Sequence, residues 1–147
     1  MSLLSDMADA VVDALAGAAA ESFPMDFTPE RAWVPTKLVD EMADGQAYVL
    51  VVPRGLEDQP ASRSGEHLDL RVDVALQMKL PASGRDAAAD AAADLGEAIR
   101  EFLRNMSVGD PAAICIRVAW PDACSPELWR EHGVFSSTLQ LTLRTVR

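Results

Sequence analysis

The stretch HLDLRVDVALQMKL, residues 67–80, decides how the rest of the chain is read. Leu68, Leu70, Val72, Val74, Leu76, Met78 and Leu80 take every second position, and His67, Asp69, Arg71, Asp73, Ala75, Gln77 and Lys79 fill the gaps. Successive side chains of a strand point to opposite faces, so this period of two predicts a β-strand with one dry face and one wet face. At about 3.3 Å per residue it runs over roughly 40 Å, long enough to reach past a small core at one end. Pro81 ends it.

Upstream, residues 54–66 (RGLEDQPASRSGE) are polar and hold Gly, Pro and Ser, which predicts a long flexible loop. Before that loop, QAYVLVVP at 46–53 is rich in β-branched residues and apolar at consecutive positions, a strand covered on both sides. A short extended piece at 31–34 lies between Pro29 and Pro35, as an edge or surface-crossing segment does. The chain begins with a helical pattern, Leu4, Met7, Val11, Leu15 and Ala18, which Ser2 or Ser5 caps and Phe23-Pro24 ends.

Downstream, Ala88, Ala92, Leu95, Ile99, Phe102, Leu103 and Met106 form the stripe of a second amphipathic helix. Residues 112–120 read as a strand with Ile114, Ile116, Val118 and Trp120 on one face. Ser125-Pro126-Glu127 opens a short helix, with Ser125 as cap. Residues 134–146 form the last strand, with Phe135, Leu139, Leu141 and Leu143 facing inward. The expected fold is one α+β domain over 1–147: a mainly antiparallel four-stranded sheet (46–53, 68–80, 112–120, 134–146) with two long helices packed on one face.

The composition is that of an ordinary globular chain, 147 residues with 49% hydrophobic and 24% charged side chains. No apolar run reaches the roughly 20 residues that span a bilayer, so no membrane association is expected. The opening segment carries Asp6, Asp9 and Asp13 and lacks the basic start of a secretory signal. A net charge of −10 repels phosphate backbones and argues against sequence-specific DNA binding. Cys115 and Cys124 fit no zinc spacing; they read as unpaired residues of a reducing compartment, with a disulfide left open.

No catalytic, cofactor or metal site is expected. His67 and His132 stand outside any nucleophile or metal motif, and the glycines form no phosphate-binding loop. Asp69 and Asp73 would lie about 13 Å apart on one strand face, too far for a glycosidase acid pair. Arg71 between them makes a solvated charge ladder the simpler reading. The candidates for subunit contact are Trp33, as an aromatic anchor, Arg54, Leu56 and Arg63 on the loop, and Arg71 on the wet face of the long strand. Core or sheet-end packing is the simpler reading of a tryptophan, and a solvated loop explains exposed arginines equally well.

Three stretches carry a family resemblance: FPMDFTPERAWVP at 23–35; VVPRGL at 51–56, followed by Ser62-Arg63 and the strand ending in QMKL at 77–80; and VFSSTLQLTLR at 134–144. In order and spacing the chain resembles the tail terminator proteins of long-tailed bacteriophages, the minor-tail-protein-U type. The resemblance implies a structural virion protein without cofactor. It would be made in the bacterial host cytoplasm and would form a hexameric ring on the finished tail tube. It would contact the tail tube protein and the head–tail connector protein, and DNA would pass its acidic lumen without specific binding. The competing expectations are a head–tail connector or head-completion protein and a small-molecule-binding α+β domain.

Overall fold

The computed structural model describes residues 2–18, 20–60, 66–109 and 112–146. The long alternating stretch is a strand, β3 (Glu66–Lys79), and it lies inside the sheet rather than at an edge. It pairs antiparallel with β2 (Ala47–Pro60) on one side and with β6 (Val134–Val146) on the other. β1 (Phe27–Arg31) runs parallel to β2, β5 (Ala113–Ala119) is antiparallel to β6, and the two-residue β4 (Ser107–Val108) borders β5. The order is β1-β2-β3-β6-β5-β4, a six-stranded mixed sheet.

This corrects the expected four-stranded, mainly antiparallel sheet. The added strands are short, and β1 contains Pro29, which an edge strand tolerates because one side of its backbone needs no partner. The expected loop at 54–66 is also corrected. β2 continues to Pro60 and β3 begins at Glu66, with Gln59 opposite His67. A polar sequence can hold a strand here because β3 supplies the backbone ladder. Gly55 follows a register shift between Pro53 and Gly55 that absorbs one extra residue. Arg63 and the rest of 61–65 lie outside the described residues.

The dry face of β3 is as its alternation requires: Leu68, Leu70, Val72, Val74, Leu76 and Met78 are buried. Ala47, Val49 and Val51 of β2 and Phe135, Leu139, Leu141 and Leu143 of β6 join them in one core. Helix α1 (Leu3–Ala16) contributes Met7, Ala8, Val11 and Leu15, and α2 (Arg85–Leu103) contributes Ala92, Leu95, Ile99 and Leu103. Ser2 caps α1, its hydroxyl accepting from the Ser5 amide at 3.1 Å. α1 stops at Gly17, earlier than the proline at 24 would require. It packs on β1, β2 and β4, near both edges of the sheet, so the sheet curls about it. A third helix, α3 (Pro126–His132), packs on β6; Ser125 caps it and Gly133 ends it at φ 64°. The sheet therefore packs with three helices, not two.

Strand β5 differs in register from its expected pattern. A bulge between Cys115 and Arg117 reverses the alternation, so Ala113 and Cys115 face the core and Ile114 faces out. Gly96, inside α2, is explained by packing. A Cβ there would stand 3.0 Å from the Trp120 ring, so the absent side chain gives the indole its place. The indole nitrogen donates to the Ser137 hydroxyl. The glycine costs the helix about 1 kcal/mol in propensity. Gly96→Leu is expected to lower unfolding free energy by about 1–3 kcal/mol through overpacking against Trp120, read from urea denaturation; an unchanged midpoint would mean that the indole moves freely.

Candidate functional site

The face of the sheet away from α1 and α2 is covered over only part of its area. After β1 the chain crosses that face as a strap, residues 32–46. The Ala32 amide donates to the Val51 carbonyl at 3.0 Å, and the Lys37 amide donates to Gln77 Oε1 at 2.6 Å. The Gly45 amide donates to the Lys79 carbonyl at 2.8 Å. Tyr48 accepts from the Ala43 amide through its hydroxyl, and its ring lies 5.1 Å from the Lys37 ammonium. Glu30 accepts from Lys37 Nζ at 3.0 Å, and this hydrogen bond holds the lysine above its ordinary pKa against partial desolvation. The strap buries Leu50, Val52 and Ala75 with Ala32, and Tyr48 and Val134 with Met42. This is why residues 46–53 read as apolar on both faces.

The strap buries its inner side and leaves Trp33, Val34 and Leu38 exposed, at 61%, 60% and 69%. Trp33 stacks with Arg31, whose guanidinium lies 5.6 Å from the ring and also pairs with Asp9 of α1. Past the strap, the open part of the face is a polar groove of about 510 Å³ lined by Arg54, Arg71, Asp73, Arg117, Gln140 and Thr142. Ile114, 52% exposed, stands at its β5 side opposite Arg144.

The charges of the groove are not distributed as a simple ladder on β3. Arg144 Nε and Nη2 donate to the two oxygens of Asp69 at 2.7 and 2.9 Å, a fork-to-fork pair. That bond, opposed by desolvation, holds the Asp69 carboxyl below its ordinary pKa and raises that of Arg144. Arg54 Nε donates to Asp73 Oδ2 at 2.7 Å. Both buried carboxylates of the face are thereby taken, and neither by Arg71. Among the described residues Arg71 and Arg117 have no acidic partner. They share one cross-strand row, in which Arg71 opposes Thr142 and Thr142 opposes Arg117. Gly55 opposes Arg71 from β2, and a Cβ on it would stand 3.0 Å from the Arg71 guanidinium.

Of the residues singled out in the sequence, Arg54 and Arg71 come together in the groove. Trp33 belongs to the exposed patch on the strap, and Leu56, 49% exposed, sits on β2 opposite Leu70. Arg63 lies outside the described residues. Arg117, Arg144 and Ile114 were not singled out. The bulge that brings Arg117 into line with Arg71 has no sequence signature, and the Arg144–Asp69 pair joins residues 75 apart in sequence.

The other side of the molecule is acidic. Asp86, Asp90, Asp94, Glu97 and Glu101 are all exposed along α2, at spacings of four, four, three and four. Such spacings place them on one line of the helix. Asp6, Asp9 and Asp13 are likewise exposed on α1.

Cys115 and Cys124 are free thiols, and burial pushes the Cys115 pKa up. Among the described residues no group of three or more His, Cys, Asp or Glu could hold a metal ion, and no helix is long and apolar enough to cross a membrane. No protein-family model matches the chain, and no curated protein matches it.

Two outcomes follow from the groove's pairs. Asp69 has a depressed folded pKa, so its stabilising contribution is present above the ordinary carboxylate value. It is lost as pH falls through the lower folded value. Asp69→Asn is expected to flatten the fall in stability below roughly pH 4, read from thermal melts across pH; an unaltered acid limb would mean that the pair adds nothing. Arg54→Glu sets a carboxylate against buried Asp73 and is expected to cost about 1–3 kcal/mol of monomer stability, measured by chemical denaturation. A variant as stable as the parent would show Arg54 to be dispensable to the fold.

Proposed function

We propose that this protein is a structural assembly protein, the terminator of a phage tail tube, which works by repeated contact between copies of itself and turns over no substrate. The observation that carries the reading is the polarity of the subunit. One face of the sheet presents arginines that have no acidic partner among the described residues, and the opposite side presents lines of exposed carboxylates. Two unlike, mutually attractive surfaces on opposite sides of one subunit favour head-to-tail contacts, and these close into a ring when the rotation between copies divides a full turn. The resemblance of residues 23–35, 51–80 and 134–144 to tail terminators supplies the place of the ring, at the end of the tail tube and beneath the head–tail connector. The net charge of −10 suits a passage through which DNA moves without sticking.

The groove is polar and open to solvent, unlike the largely apolar clefts that enclose small ligands, which counts for assembly over small-molecule binding. The test is to add the purified protein to growing tail tubes and follow length and end structure by negative-stain microscopy. Tubes are expected to stop growing and to carry one closed ring at the end. Tubes that keep growing, with the protein absent from their ends, would refute the terminator role. Rings that bind only the connector would instead make it a head-completion protein.

A further inference from the structure

We infer that the Arg71–Thr142–Arg117 row is the receiving half of the subunit contact and that its occupant is the acidic line on helix α2 of a second copy. This rests on the ring-forming reading above and adds to it which surfaces meet.

The receiving side is built for carboxylates. The outer arginines of the face, Arg54 and Arg144, neutralise Asp73 and Asp69, so among the described residues the guanidinium groups of the central row, Arg71 and Arg117, have no carboxylate partner. Neighbouring strands lie about 4.8 Å apart, so the backbones of Arg71 and Arg117 stand roughly 10 Å apart across Thr142. The Thr142 side chain lies between them on the same groove lining. Gly55, lacking a Cβ, leaves the Arg71 guanidinium its space.

The donating side matches in charge and in spacing. Along α2, Asp90 and Glu97, or Asp94 and Glu101, are seven residues apart, a rise of about 10.5 Å on one side of the helix. That equals the separation of the two arginines if the helix lies along the row, across the strands. Among the described residues, Asp86, Asp90, Asp94 and Glu97 have no cationic partner of their own. Like charges at four-residue spacing weaken an isolated helix, a cost that a cationic partner removes. Asp9 on α1, by contrast, already pairs with Arg31 at 2.8 Å. Ile114 on β5, opposite Arg144 and 52% exposed, adds apolar contact on the same face.

The experiment uses Arg71→Lys, which keeps the positive charge and introduces an amine that a carbodiimide joins directly to a touching carboxylate with loss of water. Nitrogen-15-labelled and unlabelled protein are mixed and treated at high concentration and on tail tubes. Linked peptides are then mapped by mass. Mixed-isotope links from position 71 to Asp90, Asp94, Glu97 or Glu101 are expected. Links only within one chain, or between chains to carboxylates off α2 such as Asp26 or Glu57, would overturn the inference. So would rings on the tubes without the α2 link, which would leave the ring-forming reading standing. The α2 link without closed rings would support this contact and refute closure.

Discussion

Everything in this fold depends on β3 being paired along its length on both sides. A strand flanked by β2 and β6 has its register fixed twice, and a slip of one residue would turn Leu70, Val74 and Leu76 from the helices to solvent. The alternation of residues 67–80 therefore assigns faces for three strands at once. On β6, Leu139, Leu141 and Leu143 oppose apolar residues of β3 and join the core, and Gln140 and Thr142 oppose Asp73 and Arg71 and line the groove.

The two faces solve different problems. The helix side is filled, with α1 and α2 burying their stripes on one continuous apolar surface. The far side has one short strap, and the strap covers only the end where β2 is apolar on that face. Where the cover stops, the sheet becomes polar, and its buried carboxylates are satisfied by arginines from neighbouring strands. A half-covered sheet with its own charges arranged into pairs is consistent as a stable monomer, and it still leaves a surface fit for contact.

How much of this was legible depends on the element. The central strand, α2, the capped α3 and the inward residues of β6 follow from spacing alone, because one-sided burial writes its period into the sequence. The parallel strand β1 was missed because a five-residue edge strand containing proline has no period to read. The outer half of β2 was read as a loop because its residues are polar; what makes it a strand is the neighbouring backbone, which composition does not record. The groove was half legible. Arg54 and Arg71 stood out as arginines near a long strand, but their roles differ: Arg54 is bound to Asp73, and Arg71 has no carboxylate partner among the described residues. That division depends on Arg144 and Arg117, placed by pairing across the sheet and by a bulge that one residue of β5 creates.

Both irregularities of the sheet fall on the same cross-strand row. β2 inserts its extra residue just before Gly55 and β5 inserts its own just before Arg117, and these residues lie at the two ends of the row through Arg71 and Thr142. Each insertion adds right-handed twist where it sits. Twist is thereby added at both ends of one row, so the bend there is set by the positions of two single-residue insertions; it is a property of backbone length and survives most exchanges of side chain.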